Sequence, residues 1–215
     1  CAAPSSCSAS RSRWRISGAS GDGVAAGRGR RIMCNADMSD SGYTVFQTPI
    51  GHCAVAWNAR GLIGVQLPEG TALKTARRIK GRFPHAARRT PPPTVRQAIE
   101  AIRKLLRGGA DELAPIELDM SGHSPFYRRV YELARAIPAG ETLSYGELAA
   151  RAGEPAAARA VGQAMAHNPF PLIVPCHRVL AAHGRAGGFS ARGGVETKFR
   201  LLRIEGAIRQ AALMF

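Results

Sequence analysis

The chain has 215 residues, 45% of them hydrophobic, with 30 Lys and Arg against 15 Asp and Glu and a formal net charge of +15. That length and composition fit one large or two small globular domains, and they exclude a chain too poor in apolar residues to bury a core. No apolar run is long enough to span a bilayer as a helix. The cationic excess favours a polyanionic partner, nucleic acid first, although an Arg-rich proteome yields the same balance.

Residues 1 to about 42 read as a tail rich in Ser, Gly, Ala and Arg, with three acids (Asp22, Asp37, Asp40) against six arginines. The bias resembles a transit peptide, but the first residue is Cys and no amphipathic helix is evident. Met33 and Met38 are alternative starts. Tyr43 to Thr48, Gly51 to Trp57 and Leu62 to Leu67 read as strands, the last two joined by a turn at Asn58-Ala59-Arg60-Gly61. Helical stretches over about 71–82 and 94–107 flank Pro91-Pro92-Pro93, and Ile116 to Met120 reads as a return to the sheet. Residues 43–120 thus form a small α+β domain without a recognisable catalytic constellation. The basic run Lys74, Arg77, Arg78, Lys80, Arg82 reads as a solvated face, and Trp57 as packing.

From about residue 121 the pattern turns helical. Ser124-Pro125 supplies an N-cap with Pro at the first helical position, and Phe126, Val130, Leu133 and Ala134 follow at helical spacing. Ser144-Tyr145-Gly146-Glu147 is a capping box. Gly153-Glu154-Pro155 turns into a helix over about 155–166, so the pair reads as a helix-turn-helix. On its second helix Ala157, Val161, Ala164 and Met165 share an inner face; Arg159, Gly162, Gln163 and Ala166 share the outer one. Small residues around one Arg let a helix approach DNA closely, although a solvated face with one cation has the same pattern.

The five cysteines (Cys1, Cys7, Cys34, Cys53, Cys176) are odd in number, with no CxxC and no zinc-ribbon or disulfide spacing. Cys176 stands apart. It lies in Pro175-Cys176-His177-Arg178-Val179, after the apolar run Pro171-Leu172-Ile173-Val174, which reads as extended. Adjacent cations stabilise a thiolate, the nucleophilic form, and a free thiol suits a reducing compartment. His123, His167 and His183 have no partner legible in the sequence.

Ser144-Tyr145-Gly146-Glu147-Leu148-Ala149, Ala158-Arg159-Ala160-Val161-Gly162, Asn168-Pro169 and Ile173-Val174-Pro175-Cys176-His177-Arg178-Val179 occur in this order at close spacing. Together they resemble the O6-alkylguanine-DNA alkyltransferases (methylated-DNA–protein-cysteine S-methyltransferases), strongly over residues 121–206 and diffusely over 43–120. The resemblance implies a ribonuclease-H-like α+β domain over 43–120 and a winged helix-turn-helix DNA-binding and alkyltransferase domain over 121–215. It implies that Cys176 accepts an alkyl group irreversibly from a flipped O6-alkylguanine in double-stranded DNA, in a single turnover. His177 would take the thiol proton through a water, Glu205 would orient His177, and Asn168 would tie the recognition helix to the Cys176 segment. DNA contacts fall on Tyr127, Tyr145, Gly146, Arg159 and Gly162, with Arg159 filling the place of the flipped base. Tyr145, Val179 and Ser190 would hold the guanine. The resemblance implies a monomer without cofactor, cytoplasmic in a bacterium and nuclear in a eukaryote. The structural zinc of mammalian members does not carry over.

The chemistry agrees with these assignments. Nucleophile, base and orienting carboxylate form the usual order, and a base must leave the duplex to reach a buried thiol. One departure lies in Gly188-Phe189-Ser190-Ala191-Arg192-Gly193-Gly194. Phe189 lacks the hydroxyl common in the family, and the loop is longer than in mammalian-type members, so the accepted alkyl size stays open, as does O4-alkylthymine. Two other readings compete: a binder of alkylated DNA without transfer, which would lack the active cysteine, and a thiol hydrolase, which would lack a DNA-reading helix.

Overall fold

The computed structural model describes residues 41–110 and 112–208, all within one compact unit, Met33–Phe215. The expected tail, with Trp14, lies outside the described residues up to position 40. Ser41 is buried, and Gly42 opens the first strand.

Strands β1 (Gly42–Thr48), β2 (Gly51–Asn58) and β3 (Gly61–Gln66) form an antiparallel meander. Its two turns, after Thr48 and Asn58, lie where Pro49 and the Asn58–Gly61 segment interrupt the apolar pattern. Strand β2 is buried on both faces and sorts its side chains by period two. Ala54 and Ala56 meet Ile79 of helix α1 (Ala72–Arg82), while Cys53, Val55 and Trp57 join the main core with Val95, Ile99 and Ile102 of helix α2 (Pro93–Leu106). A short strand β4 (Ala87–Arg88) adds to β1 in parallel, giving the order β3-β2-β1-β4. It follows no apolar pattern, and its signal in the sequence is nil.

The expected return strand over 116–120 is reduced to one parallel bridge, Leu62 to Leu118, with Leu62 N donating to Glu117 O and Asp119 N to Leu62 O. Gly61 permits that approach: its φ is +136°, and a Cβ there would lie 2.7 Å from Glu117 O. Arg135 holds the preceding segment by donating to the carbonyls of Ala114 and Ile116.

Helix α3 (Pro125–Arg135) starts at Pro125, with Ser124 Oγ accepting from Tyr127 N. Helix α4 (Tyr145–Arg151) carries the full capping box between Ser144 and Glu147. The helix expected over 155–166 is a 3₁₀ turn over Pro155–Ala157 followed by α5 (Ala158–Ala166). Val161, Ala164 and Met165 are buried as expected, whereas Ala157, in the tighter turn, is half-exposed. Two short strands, β5 (Leu143–Ser144) and β6 (Val179–Leu180), pair in parallel, and α6 (Gly194–Ile204) closes the described chain.

Both halves share one apolar core. Val55 and Val65 from the sheet, Tyr131 from α3, Phe170 and Val174 from the segment before Cys176, and Leu201 from α6 belong to a single buried cluster. Tyr131 braces α3 against α5 by donating from its hydroxyl to Ala164 O at 3.0 Å. Trp57 is core, packed so tightly against Gly42 that a Cβ there would lie 2.5 Å from the ring.

Candidate active site

The segment expected to run extended into Cys176 does not. Leu172 takes φ +77°, Val174 N turns back to Phe170 O, and Cys176–Arg178 form a 3₁₀ turn ahead of β6. Pro171 and Pro175 bracket the run and can donate no ladder hydrogen bond, so a buried apolar stretch becomes a turn. Cys176, His177 and Arg178 are all buried.

The turn brings His177 and Arg178 to one carboxylate. His177 Nε2 meets Glu205 Oε1 at 2.9 Å, and Arg178 grips the same carboxylate twice, Nε to Oε2 and Nη2 to Oε1, both at 2.8 Å. Arg178 Nη1 also donates to Ile137 O at 2.6 Å. Arg178 is therefore a partner of Glu205, not the thiolate-stabilising cation that its place beside Cys176 suggested. Burial pushes the Glu205 carboxyl up, but the hydrogen bonds and charges of His177 and Arg178 outweigh it and hold it down at about 2. An ionised carboxylate only accepts, so Nε2 carries the hydrogen, and in the neutral ring Nδ1 carries the lone pair. Among the described residues, buried His177 Nδ1 has no protein partner. A buried ring nitrogen of this kind calls for a water.

Burial likewise pushes the Cys176 thiol up; hydrogen bonding by Asn168, the charge of Lys198 and nearby backbone groups pull against it. Lys198, absent from the sequence reading, is the cation that acts on the thiol. It is fully buried on α6, donates to Val179 O and Ala186 O at 2.6 Å each, and lies 5.8 Å from the centroid of the Tyr145 ring. Burial lowers it to about 8, with the Cys176 charge acting in the opposite sense. Its signal was available: Lys198, Leu201 and Leu202 share the i, i+3, i+4 face of a helix, but a lysine in such a stripe is ordinarily read as solvated.

Asn168 stands between α5 and the thiol. Its Nδ2 donates to Val174 O at 2.8 Å, and its Oδ1 accepts from Phe170 N at 2.9 Å. Cys176, Asn168 and Ser190 line one cavity of about 200 Å³, walled by Phe189 and Ala191 on one side and by Leu67, Glu69, Arg78 and Arg82 of the N-terminal half on another. Tyr145, half-buried at the start of α4, has its hydroxyl pushed up by burial and then by Cys176. That hydroxyl packs against Gly187, where a Cβ would lie 3.1 Å away. Arg159 and Gly146 are exposed, and a Cβ on Gly162 would meet nothing within 4 Å, so the outer face of α5 is open. Tyr127 is half-buried, its ring 6.1 Å from that of Tyr131. Val179 is fully buried and its carbonyl already accepts from Lys198.

Several residues read as unpartnered or solvated have partners. His123 packs edge-on against Tyr131 and Phe170, and His167 Nδ1 lies 2.8 Å from Gln163 O. Lys80 donates to Pro84 O and Ala86 O. Arg82 crosses to Pro169 O, and Val65 N donates to the same carbonyl. Cys53 is inert: burial pushes its thiol up to about 12, with Thr48 as hydrogen-bonding neighbour.

The sequence and the structure both have close relatives of known family. Residues 125–207 match the model of the 6-O-methylguanine DNA methyltransferase, DNA binding domain. A methylated-DNA–protein-cysteine methyltransferase of Methanothermobacter thermautotrophicus is 35% identical over 158 residues, 74% of this chain and 81% of the relative. The crystal structure of the Mycobacterium tuberculosis O6-methylguanine methyltransferase superposes with a TM-score of 0.65 at 34% identity, covering 80% of this chain and 97% of that one. A second structure from that organism, OGT in complex with DNA, superposes with a TM-score of 0.61 at 35% identity, covering 77% and 92%. With identity of this degree across both halves of the fold, and a buried Cys-His-Glu set at its centre, the chain belongs to the methylated-DNA–protein-cysteine methyltransferase family.

Proposed function

We propose that this protein repairs DNA by moving the alkyl group of O6-alkylguanine to its own Cys176, once per molecule. The observation that carries the reading is Cys176 lining a cavity sized for a small group, with a carboxylate-held imidazole behind it. His177 Nδ1 draws the thiol proton through a bridging water, and Glu205 stabilises the imidazolium that forms. Sγ then attacks the alkyl carbon, the carbon–O6 bond breaks, and its electron pair leaves with guanine. Tyr145, kept protonated by burial, donates to the departing base. The thioether has no route back to a thiol, so turnover ends there.

In this reading the chain divides into a ribonuclease-H-like half over 43–120 and a winged helix-turn-helix half over 121–215. Exposed Arg159 on α5 enters the stack where the guanine has left, and Tyr127, Gly146 and Gly162 lie against the duplex. Asn168 ties α5 to Val174, two residues before the nucleophile, so docking and chemistry share one rigid piece. Ser190 and Val179 frame the base. Retention of a cavity-lining cysteine counts against a binder that performs no transfer.

The test is an intact mass of the protein after mixing with O6-methylguanine duplex. One added methyl on the Cys176 peptide, with no turnover, is expected, and Cys176→Ala should bind DNA but take up none. Methyl loss from DNA in the Cys176→Ala protein would overturn the assignment.

A further inference from the structure

We propose that Arg192 sets the largest alkyl group that can reach Cys176, by latching the loop over residues 187–192 onto the N-terminal half of the protein. The inference rests on the alkyl-transfer reading above and names a limit on its substrate.

The loop is a strap with two fastenings. At its inner end Lys198 holds Ala186 O. At its outer end Arg192 Nη1 donates to Glu69 O at 2.5 Å, across more than a hundred residues of sequence. Between them residues 187–190 make no hydrogen bond to the body of the protein among the described residues, yet Phe189, Ser190 and Ala191 form one wall of the Cys176 cavity.

Both sides of the outer fastening are shaped for it. Gly70 has φ +96°, and a Cβ there would lie 2.1 Å from Arg192 Nη1, so the guanidinium occupies space that only glycine leaves. Glu69 is itself held, its N–H donating to Thr75 Oγ1 at 3.1 Å and its Oε1 accepting from Gln66 Nε2 at 2.9 Å. On the loop side Thr197 Oγ1 donates to Arg192 O at 2.6 Å, and Gly193 and Gly194 both take positive φ to turn the chain into α6. Glu69 therefore serves as anchor and as cavity wall at once. While the latch holds, the wall formed by Phe189–Ala191 cannot retreat. When it opens, residues 187–191 keep only the apolar packing of Phe189 and Ala191 and the turn at Ala191–Gly194, with Thr197 still holding Arg192 O, and the wall can yield to a bulkier group beside the thiol.

The experiment compares transfer rates from duplexes containing O6-methylguanine and O6-benzylguanine in wild type, Arg192→Ala, Arg192→Lys and Gly70→Ala. Arg192→Ala removes the donor from an exposed position, and Gly70→Ala evicts it from the opposite side, with the thermal midpoint of each variant confirming the fold. The benzyl-to-methyl rate ratio should rise about five-fold in both, the scale on which one charge-assisted hydrogen bond shifts an equilibrium. The methyl rate should stay within about two-fold, and Arg192→Lys should keep much of the wild-type ratio. An unchanged ratio in folded Arg192→Ala overturns the latch, as does parallel loss of both rates. Failure of the alkyl-transfer reading is a different result: wild type would then acquire no alkyl group at all.

Discussion

His177 and Glu205 meet at 2.9 Å with both side chains out of solvent, and the carboxylate is gripped from the other side by Arg178. The geometry fixes one imidazole tautomer. Glu205→Gln keeps the shape but can present an amide N–H₂ to Nε2, which favours the opposite tautomer and takes the lone pair from Nδ1. Methyl transfer should slow by at least about a hundred-fold, as it does where a triad carboxylate is amidated, while affinity for unmodified duplex stays level. Single-turnover rates beside a binding isotherm check this; a transfer rate near wild type would remove His177 as base.

The same carboxylate should contribute to acid stability. Its folded-state value, about 2, lies below that of an exposed Glu, so the unfolded chain binds the proton more readily. Stability from this group is complete above the ordinary carboxylate range and is lost as pH falls toward 2, a span worth roughly 3 kcal/mol. Glu205→Ala should flatten that part of the pH–stability curve. At neutral pH it should also cost about 3–5 kcal/mol, because Arg178 is left buried without its carboxylate. Urea denaturation from pH 7 down to pH 3 reads both effects, and an unaltered acid slope would contradict the assignment.

Much of the frame around this site is legible in the sequence because local rules govern it. The β1–β3 meander follows its turns, α4 follows its capping box, and the buried face of α5 follows its helical spacing. What escapes is non-local. Arg178 looks like a partner of the thiol because it is two residues away, but a 3₁₀ turn sends it to Glu205, 27 residues on. Lys198 looks like a solvated helix residue, and only the fold brings the carbonyls of Val179 and Ala186 to its ammonium. The pairing of β5 with β6 spans two residues on each side, too short for any periodicity, yet it sets Tyr145 beside the Cys176 turn.

Lys198 gives a prediction with a sign. Burial lowers its ammonium to about 8, so between about 8 and the ordinary lysine value the unfolded chain binds more protons than the folded one. Stability should rise with pH across that window and lose the gain as pH falls through 8. In Lys198→Met the rise should vanish. The same substitution removes the charge that opposes burial at Cys176, so the pH profile of iodoacetamide reaction should move to higher pH. An unmoved thiol profile would show that Lys198 acts only through the loop carbonyls.

Arg159 offers a test that separates DNA handling from chemistry. It is exposed on α5, while Asn168 just beyond that helix is tied to Val174. Removing the Arg159 side chain should therefore leave the thiol, its cavity and the His177–Glu205 pair unchanged. Arg159→Ala should slow repair of O6-methylguanine in duplex DNA at least about ten-fold, because an emptied base position costs a few kcal/mol of unstacking that nothing then offsets. Reaction with free O6-benzylguanine needs no flipping and should proceed at the wild-type rate. Measuring the two rate constants on one protein preparation checks the division of labour, and equal slowing on both substrates would place Arg159 in the architecture of the site instead of in the stack.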